Sequence, residues 1–302
     1  MAEEQQQTER EDRPLELGWF TLCLKASDLN ATLDFYKKLS FEVVGGNPEH
    51  GYAVINNAHT ELTPMGFLES NLLNFRGGNI PELAGELAGR GLELTHHGDN
   101  DPTKEAVEHI PGYKQYDPSK WPPEYNNDKD GNPLPYEDSG DFIIMDPDGN
   151  TLYFDSVPAE RARYKAGNRF CAESVTGELN EGQLLLGNFT YCLNVKDISV
   201  SVDFYRELGL TLCEEHRGKG WAVLGYDEPS PFRLSLYQGH IKVNLLNFRG
   251  GDVFAIAATL KERGLTLGME ANTEADGSDG AELTDPDGNL IYFNTAPEER
   301  LY

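Results

Sequence analysis

Two arginines, two tyrosines and two cysteines stand at matching places along this chain, and their types decide what chemistry is open to it. Arg76 and Arg249 occupy the same position of a repeated octapeptide, Asn-Leu-Leu-Asn-Phe-Arg-Gly-Gly. In so acidic a chain, a guanidinium at a strand end could grip a carboxylate or phosphate through two parallel hydrogen bonds. The competing and favoured reading is an internal ion pair with an acid such as Asp155. Tyr153 and Tyr292 could move a proton or simply donate a hydrogen bond. Cys23 and Cys192 have no neighbouring His, which argues against a nucleophilic thiolate. Of the seven histidines (His50, His59, His96, His97, His109, His216 and His240), only Glu49-His50 and Glu215-His216 recur as a similar pair. Adjacent strand residues point to opposite faces, so these pairs read as surface residues. Gly-Gly ahead of a helix is a pattern that cradles phosphate, but an acidic cap such as Asp252 would repel an anion. No Ser-His-Asp arrangement, P-loop or dinucleotide fingerprint occurs, and no residue is assigned a catalytic role.

These pairs belong to a larger repeat. Asp34-Phe35-Tyr36 returns as Asp203-Phe204-Tyr205, and the Asp-Pro-Asp-Gly-Asn block at Asp146 returns at Asp285. Pro158-x-Glu160-Arg161 returns as Pro297-x-Glu299-Arg300. The order is the same each time, so the chain is two copies of one module, and a site would be sought where the copies face each other. Residues 1–13 read as a disordered tail, 14–163 as the first module, 164–183 as a linker and 184–302 as the second module.

Each copy opens with a strand, since Phe20, Leu22 and Leu24 alternate with Thr21, Cys23 and Lys25, and Phe189, Tyr191 and Leu193 alternate with Thr190, Cys192 and Asn194. A helix follows, marked by Leu29, Leu33 and Tyr36 and by Ile198, Val202 and Tyr205, with Asp28 and Asp197 as caps. More strands come next, although the first copy's partner for Arg233–Tyr237 is poorly defined. A second helix follows Gly-Gly, and the Asp-Gly turn leads into a final strand. The fold class expected is α+β, in tandem βαβββ modules.

The copies differ most in length after the second helix. Asp146 follows Gly91 by 55 positions, whereas Asp285 follows Gly264 by 21. The excess falls in an insert at about 96–140 that carries Tyr113, Tyr116, Trp121, Tyr125 and Tyr136. It is read either as an outer embellishment or as a lid.

The chain has 302 residues, 25 basic against 51 acidic, and a net charge of −26. That argues against nucleic acid or an anionic membrane as partner, and it suits solubility or a salty cytoplasm. Four cysteines without a CxxC pair suit reduced thiols in a cytosol. No apolar run reaches the length of a membrane span, so a cytoplasmic protein, monomer or homodimer, is expected.

The repeated Asp-(Leu/Ile)-x5-Phe-Tyr after the first strand, together with the Asp-Pro-Asp-Gly-Asn hairpin before the last, resembles the vicinal oxygen chelate superfamily (glyoxalases, bleomycin-resistance proteins and extradiol dioxygenases). The resemblance covers nearly all of both copies. It implies curved mixed sheets that pair into an open cup. It also implies that metal-binding members place His on the first strand, His or Glu on a middle strand and Glu on the last. Counting along the motifs puts those positions at Thr21 and Thr190, at Leu72 and Leu245 (Asn71 and Asn244 after a one-residue slip), and at Tyr153 and Tyr292. None is an ordinary ligand for a catalytic divalent metal.

The cup lining expected from alternation is Thr21, Cys23, Lys25, Asn74, Arg76, Thr151, Tyr153 and Asp155 in one copy. In the other it is Thr190, Cys192, Asn194, Asn247, Arg249, Tyr292 and Asn294. The function expected is binding of a small organic molecule, anionic or aromatic, with no metal and no cofactor. The alternative is a metal-dependent lyase, isomerase or dioxygenase of the same superfamily, holding a divalent metal through non-standard ligands.

Overall fold

The computed structural model describes residues 15–95, 112–172, 174–228 and 231–301. The segment read as a tail, and His96, His97 and His109, lie outside the described residues.

The first copy runs β1 (Gly18–Lys25), α1 (Leu29–Lys38), β2 (Glu42–Asn47), β3 (Tyr52–Asn57), β4 (Thr60–Met65) and β5 (Leu72–Gly77). It continues with α2 (Ile80–Gly89), β6 (Lys114–Gln115), the short α3 (Pro123–Asn126), β7 (Gly140–Met145), β8 (Thr151–Ser156) and α4 (Pro158–Lys165). The second copy runs β9 (Gly187–Asn194), α5 (Ile198–Glu207), β10 (Thr211–His216), β11 (Trp221–Tyr226), β12 (Phe232–Tyr237) and β13 (Leu245–Gly250). Its remainder is α6 (Val253–Glu262), β14 (Met269–Thr273), β15 (Asp279–Thr284) and β16 (Leu290–Thr295).

Each copy folds into one open eight-stranded mixed sheet, ordered β2-β3-β4-β1-β5-β8-β7-β6 and β10-β11-β12-β9-β13-β16-β15-β14. The order is two four-stranded βαβββ units laid edge to edge and joined by the antiparallel pairs β1 with β5 and β9 with β13. Half-sheets therefore pair inside each copy, and the chain holds four such units. The strand that the sequence left undefined is β4. Pro64 counts against a strand, because it cannot donate to a ladder. Parallel pairing with β1, Leu22 opposite Leu62, holds it in place.

One face of the first sheet is a row of rings. Phe20, Phe75, Phe154 and Phe142 are successive cross-strand neighbours with centroids 5.5, 5.0 and 4.7 Å apart. The copies meet on this apolar side, with Phe20 3.9 Å from Phe232 and Phe41 6.3 Å from Phe248, and one core runs through both. Thr21, Asn74 and Tyr153 alternate onto the opposite face. A site is therefore to be sought inside each copy and not, as the repeat suggested, where the copies face each other.

The Asp-Pro-Asp-Gly-Asn hairpins join the copies reciprocally. Tyr36 on α1 donates to Asp285 at 3.1 Å, and Tyr205 on α5 donates to Asp146 at 2.8 Å. Asp287 accepts from the Ser27 N–H and the Thr32 hydroxyl, as Asp148 does from the Lys196 N–H and the Ser201 hydroxyl. Each helix N-terminus is thus capped twice, by its own Asp28 or Asp197 and by an anion from the other copy.

The Gly-Gly pairs are explained by packing and not by a phosphate cradle. Gly77 and Gly250 have φ of 83° and 95°, and a Cβ on Gly78 or Gly251 would lie 2.5 Å from the Glu16 carbonyl or 2.6 Å from that of Leu186.

Candidate functional site

The polar face of each sheet carries a cross-strand row. Thr21 on β1 lies opposite Asn74 on β5, which lies opposite Tyr153 on β8; Thr190, Asn247 and Tyr292 repeat the row. The register corrects the middle position, which is Asn74 or Asn247 and not Leu72 or Leu245. The one-residue alternative fails as well, because Asn71 and Asn244 bond Asn289 and Asn150 at the junction of the copies, at 2.6 and 2.7 Å.

Cys23 and Cys192 flank the row on one side, and Arg76 and Arg249 flank it on the other. Burial pushes both thiols up to about 12, so neither is a thiolate at neutral pH. Burial also raises both phenols, Tyr153 strongly, which leaves them as hydrogen-bonding groups rather than bases. Lys25 lies at the end of β1, where its N–H bonds Asn71, away from the row. Thr151 and Asn194 also line a cleft of about 390 Å³ between the copies, with Lys242 and Asp148. His50 and His216 are exposed, as the surface reading expected.

Both arginines form internal ion pairs, and the repeated Pro-x-Glu-Arg supplies the acids. Arg76 meets Glu160 at 2.6 Å and Asp155 at 3.5 Å, while Arg249 meets Glu299 at 2.6 Å. The surroundings differ. Arg76 and Glu160 are 17% and 8% exposed, against 33% and 32% for Arg249 and Glu299. Glu160→Gln is therefore expected to destabilise the protein by about 3 kcal/mol, the range for breaking a buried pair. Glu299→Gln should cost about 1 kcal/mol or less, because that pair meets solvent. Denaturant melts of the two variants check this; equal losses would refute the difference in burial.

That difference has a visible cause. In the first copy the described part of the insert crosses the cup. Strand β6 pairs with β7 at one edge, and the Tyr125 hydroxyl meets that of Tyr52 on β3, near the other edge, at 3.0 Å. Tyr116 bonds Asn126 at 2.7 Å and stacks on Trp121, which fixes the crossing segment. A second strap is pinned by Glu61 on β4, whose carboxylate accepts from the Cys171 and Ala172 N–H groups, each at 3.3 Å. The first cup is covered by its own chain. The second copy has no insert, and its cup is the more accessible one.

Sequence reasoning missed Glu61, Asp141, Ser235 and Tyr237 as cup residues. Glu61 could have been found only by placing β4. It precedes Leu62, the partner of Leu22, as Arg233 precedes Leu234, the partner of Tyr191.

Residues 189–293 match the family model described as Glyoxalase/Bleomycin resistance protein/Dioxygenase superfamily. The whole architecture is similar to the Mn(II)-bound glyoxalase from Novosphingobium aromaticivorans, at 14% identity and a TM-score of 0.57, covering 94% of this chain and 82% of that one. It is also similar to a catechol 2,3-dioxygenase (16% identity, TM-score 0.52, 95% and 91% covered). A third likeness is to homoprotocatechuate 2,3-dioxygenase from Arthrobacter globiformis (12%, 0.51, 93% and 80%). No curated protein matches the chain. The fold is that of the vicinal oxygen chelate superfamily.

The resemblance to that superfamily implies His and carboxylate at the row positions where a member binds metal. Here the rows offer a hydroxyl, an amide and a phenol, which do not fit a divalent metal. Among the described residues no three His, Cys, Asp or Glu side chains are grouped to hold one. Among those residues, too, no helix is long and apolar enough to cross a membrane.

Proposed function

We propose that the second cup binds a small organic molecule through hydrogen bonds, without a resident metal or cofactor. One observation carries this reading: the Oδ1 atoms of Asn247 and Asn294 are buried on the cup floor with no hydrogen-bond partner. A dry unpaired acceptor costs about 1–3 kcal/mol. Both atoms ask for a donor, such as a phenolic or alcoholic O–H. Thr190, Ser235, Tyr237 and Tyr292 surround them with hydroxyls, and Arg249 stands beside Asn294 for a carboxylate. A phenol or a hydroxy acid meets these demands. With a net charge of −26, we propose a small molecule and not nucleic acid as the partner.

Thermal unfolding with a panel of phenols and hydroxy acids tests the reading. Saturable stabilisation is expected, about 2.7 kcal/mol at a hundredfold excess over Kd. Asn247→Leu should abolish it and Asn74→Leu should leave it. No response from any member, or a response unchanged in Asn247→Leu, would sink the proposal. So would stoichiometric, chelator-sensitive metal in the purified protein.

A further inference from the structure

The junction of the copies is reciprocal in its hairpin contacts, and its cleft of about 390 Å³ lies where the reciprocity breaks. Ser70, Asn71 and Asn150 of the first copy line it together with Tyr191, Lys242 and Asn244 of the second. Tyr191 stands where the first copy has Leu22. Lys242 precedes Asn244 by two residues, as Glu69 precedes Asn71. The volume falls in the range of small-molecule sites, about 300–1,000 Å³.

Packing alone does not explain Tyr191. Leucine fills the equivalent place in the first copy, and a phenol brings a hydroxyl that has to be satisfied. Tyr191 is 3% exposed, and burial raises its phenol to about 12, with hydrogen bonds from Asn71 and Asn244 opposing only in part. The hydroxyl therefore keeps its proton at neutral pH. Its oxygen accepts from the two amides, whose other N–H groups go to Asn289 and Asn150. Both amide oxygens are turned onto backbone N–H groups, those of Lys25 and Asn194. Among the described residues the phenol proton is thus left without an acceptor, on a side chain that lines the cleft.

The charges point the same way. Asp148, the one carboxylate of the described lining, accepts from the Lys196 N–H and the Ser201 hydroxyl, and the Lys196 ammonium lies 3.9 Å away. Lys242 is exposed, and among the described residues it meets no carboxylate within ion-pair distance. A buried O–H donor and an unpaired ammonium on one cleft ask for a guest with two acceptor atoms and one negative charge. Leu73 and Val243 add an apolar wall for an alkyl group. A doubly charged phosphate fits less well, since it would meet one cation in a chain of net charge −26.

We propose that this cleft binds a small monocarboxylate, which accepts a hydrogen bond from Tyr191 and pairs with Lys242 at the junction of the copies. This goes beyond the reading of the second cup and does not rest on it.

Saturation-transfer NMR and thermal unfolding of the full chain with sodium propionate test it. Propionamide, and sodium chloride at matched ionic strength, are the comparisons. Saturable binding is expected for propionate, binding weaker by about tenfold or more for propionamide, and none for chloride. Tyr191→Phe keeps the ring and should weaken propionate binding by about tenfold. Lys242→Met, a change at an exposed position, should weaken it by about as much. Asn247→Leu should leave propionate binding intact while it removes the response of the second cup, so the two readings fail separately. If propionate binds no better than propionamide or chloride, water satisfies Tyr191 and the proposal is wrong. It is equally wrong if either Tyr191→Phe or Lys242→Met binds as the parent does, or if binding requires Asn247.

Discussion

Asp285→Ala and Asp146→Ala are each expected to lower stability by about 3 kcal/mol, although neither residue touches a cup. Asp285 is 5% exposed and Tyr36 is fully buried, so removing the carboxylate strands a phenol hydroxyl where no water reaches it. The same carboxylate accepts from the Asn289 and Asp287 N–H groups and from the Asn289 amide, at 2.7–3.0 Å. One substitution therefore undoes the hairpin and its grip on the other copy. Tyr36→Phe should cost only about 1 kcal/mol, because Asp285 keeps its turn partners. A double-mutant cycle over Tyr36 and Asp285 isolates the contact between the copies, and a coupling near 1–2 kcal/mol is expected. Coupling within error of zero would mean that the hairpin serves only its own turn. The reciprocal cycle over Tyr205 and Asp146 should behave alike, since the geometry is repeated.

That contact shows what the residue pattern can and cannot disclose. The hairpin, the capping aspartates and the helices were legible because turn chemistry and helical spacing are local properties. So was the face each strand residue takes, since alternation put Thr21, Asn74, Arg76 and Tyr153 together. What was not legible depends on pairing between distant strands. The middle position of the row was set two residues early, because only the β1–β5 register places Asn74 opposite Thr21. Strand β4 was lost because Thr60, Glu61, Thr63 and Pro64 lack a strand's usual apolar alternation, and with it went Glu61. The reading of each half as one module hid its two βαβββ units, which share topology but no visible motif. The arginines were open between ligand and ion pair until Glu160 and Glu299 closed on them.

Glu61→Gln is expected to abolish a fall in stability that the parent shows between about pH 4.5 and 7. Burial raises the Glu61 carboxyl from 4.5 to about 7, with hydrogen bonds from Ala172 and Cys171 and the charges of Arg76 and Arg163 opposing it only in part. A carboxyl whose folded value lies above its unfolded one stabilises the fold fully below the unfolded value. That contribution disappears as pH rises through the folded value. At 1.36 kcal/mol per unit, the loss amounts to about 3 kcal/mol by pH 8. Glutamine keeps an acceptor for the two N–H groups and cannot ionise. The variant should match the parent near pH 4.5 and exceed it by up to about 3 kcal/mol at pH 8, as read from denaturant melts at each pH. Taking the difference between the two proteins cancels the titrating groups that do not interact with Glu61, such as Asp285. A difference that stays flat from pH 5 to 8 would show that Glu61 is solvated in the folded state. Its charge can be relieved by admitting water where residues 171–172 cross the cup. Amide exchange at Cys171 and Ala172 should then rise above pH 7 faster in the parent than in the variant, which ties the closure of the first cup to one buried proton.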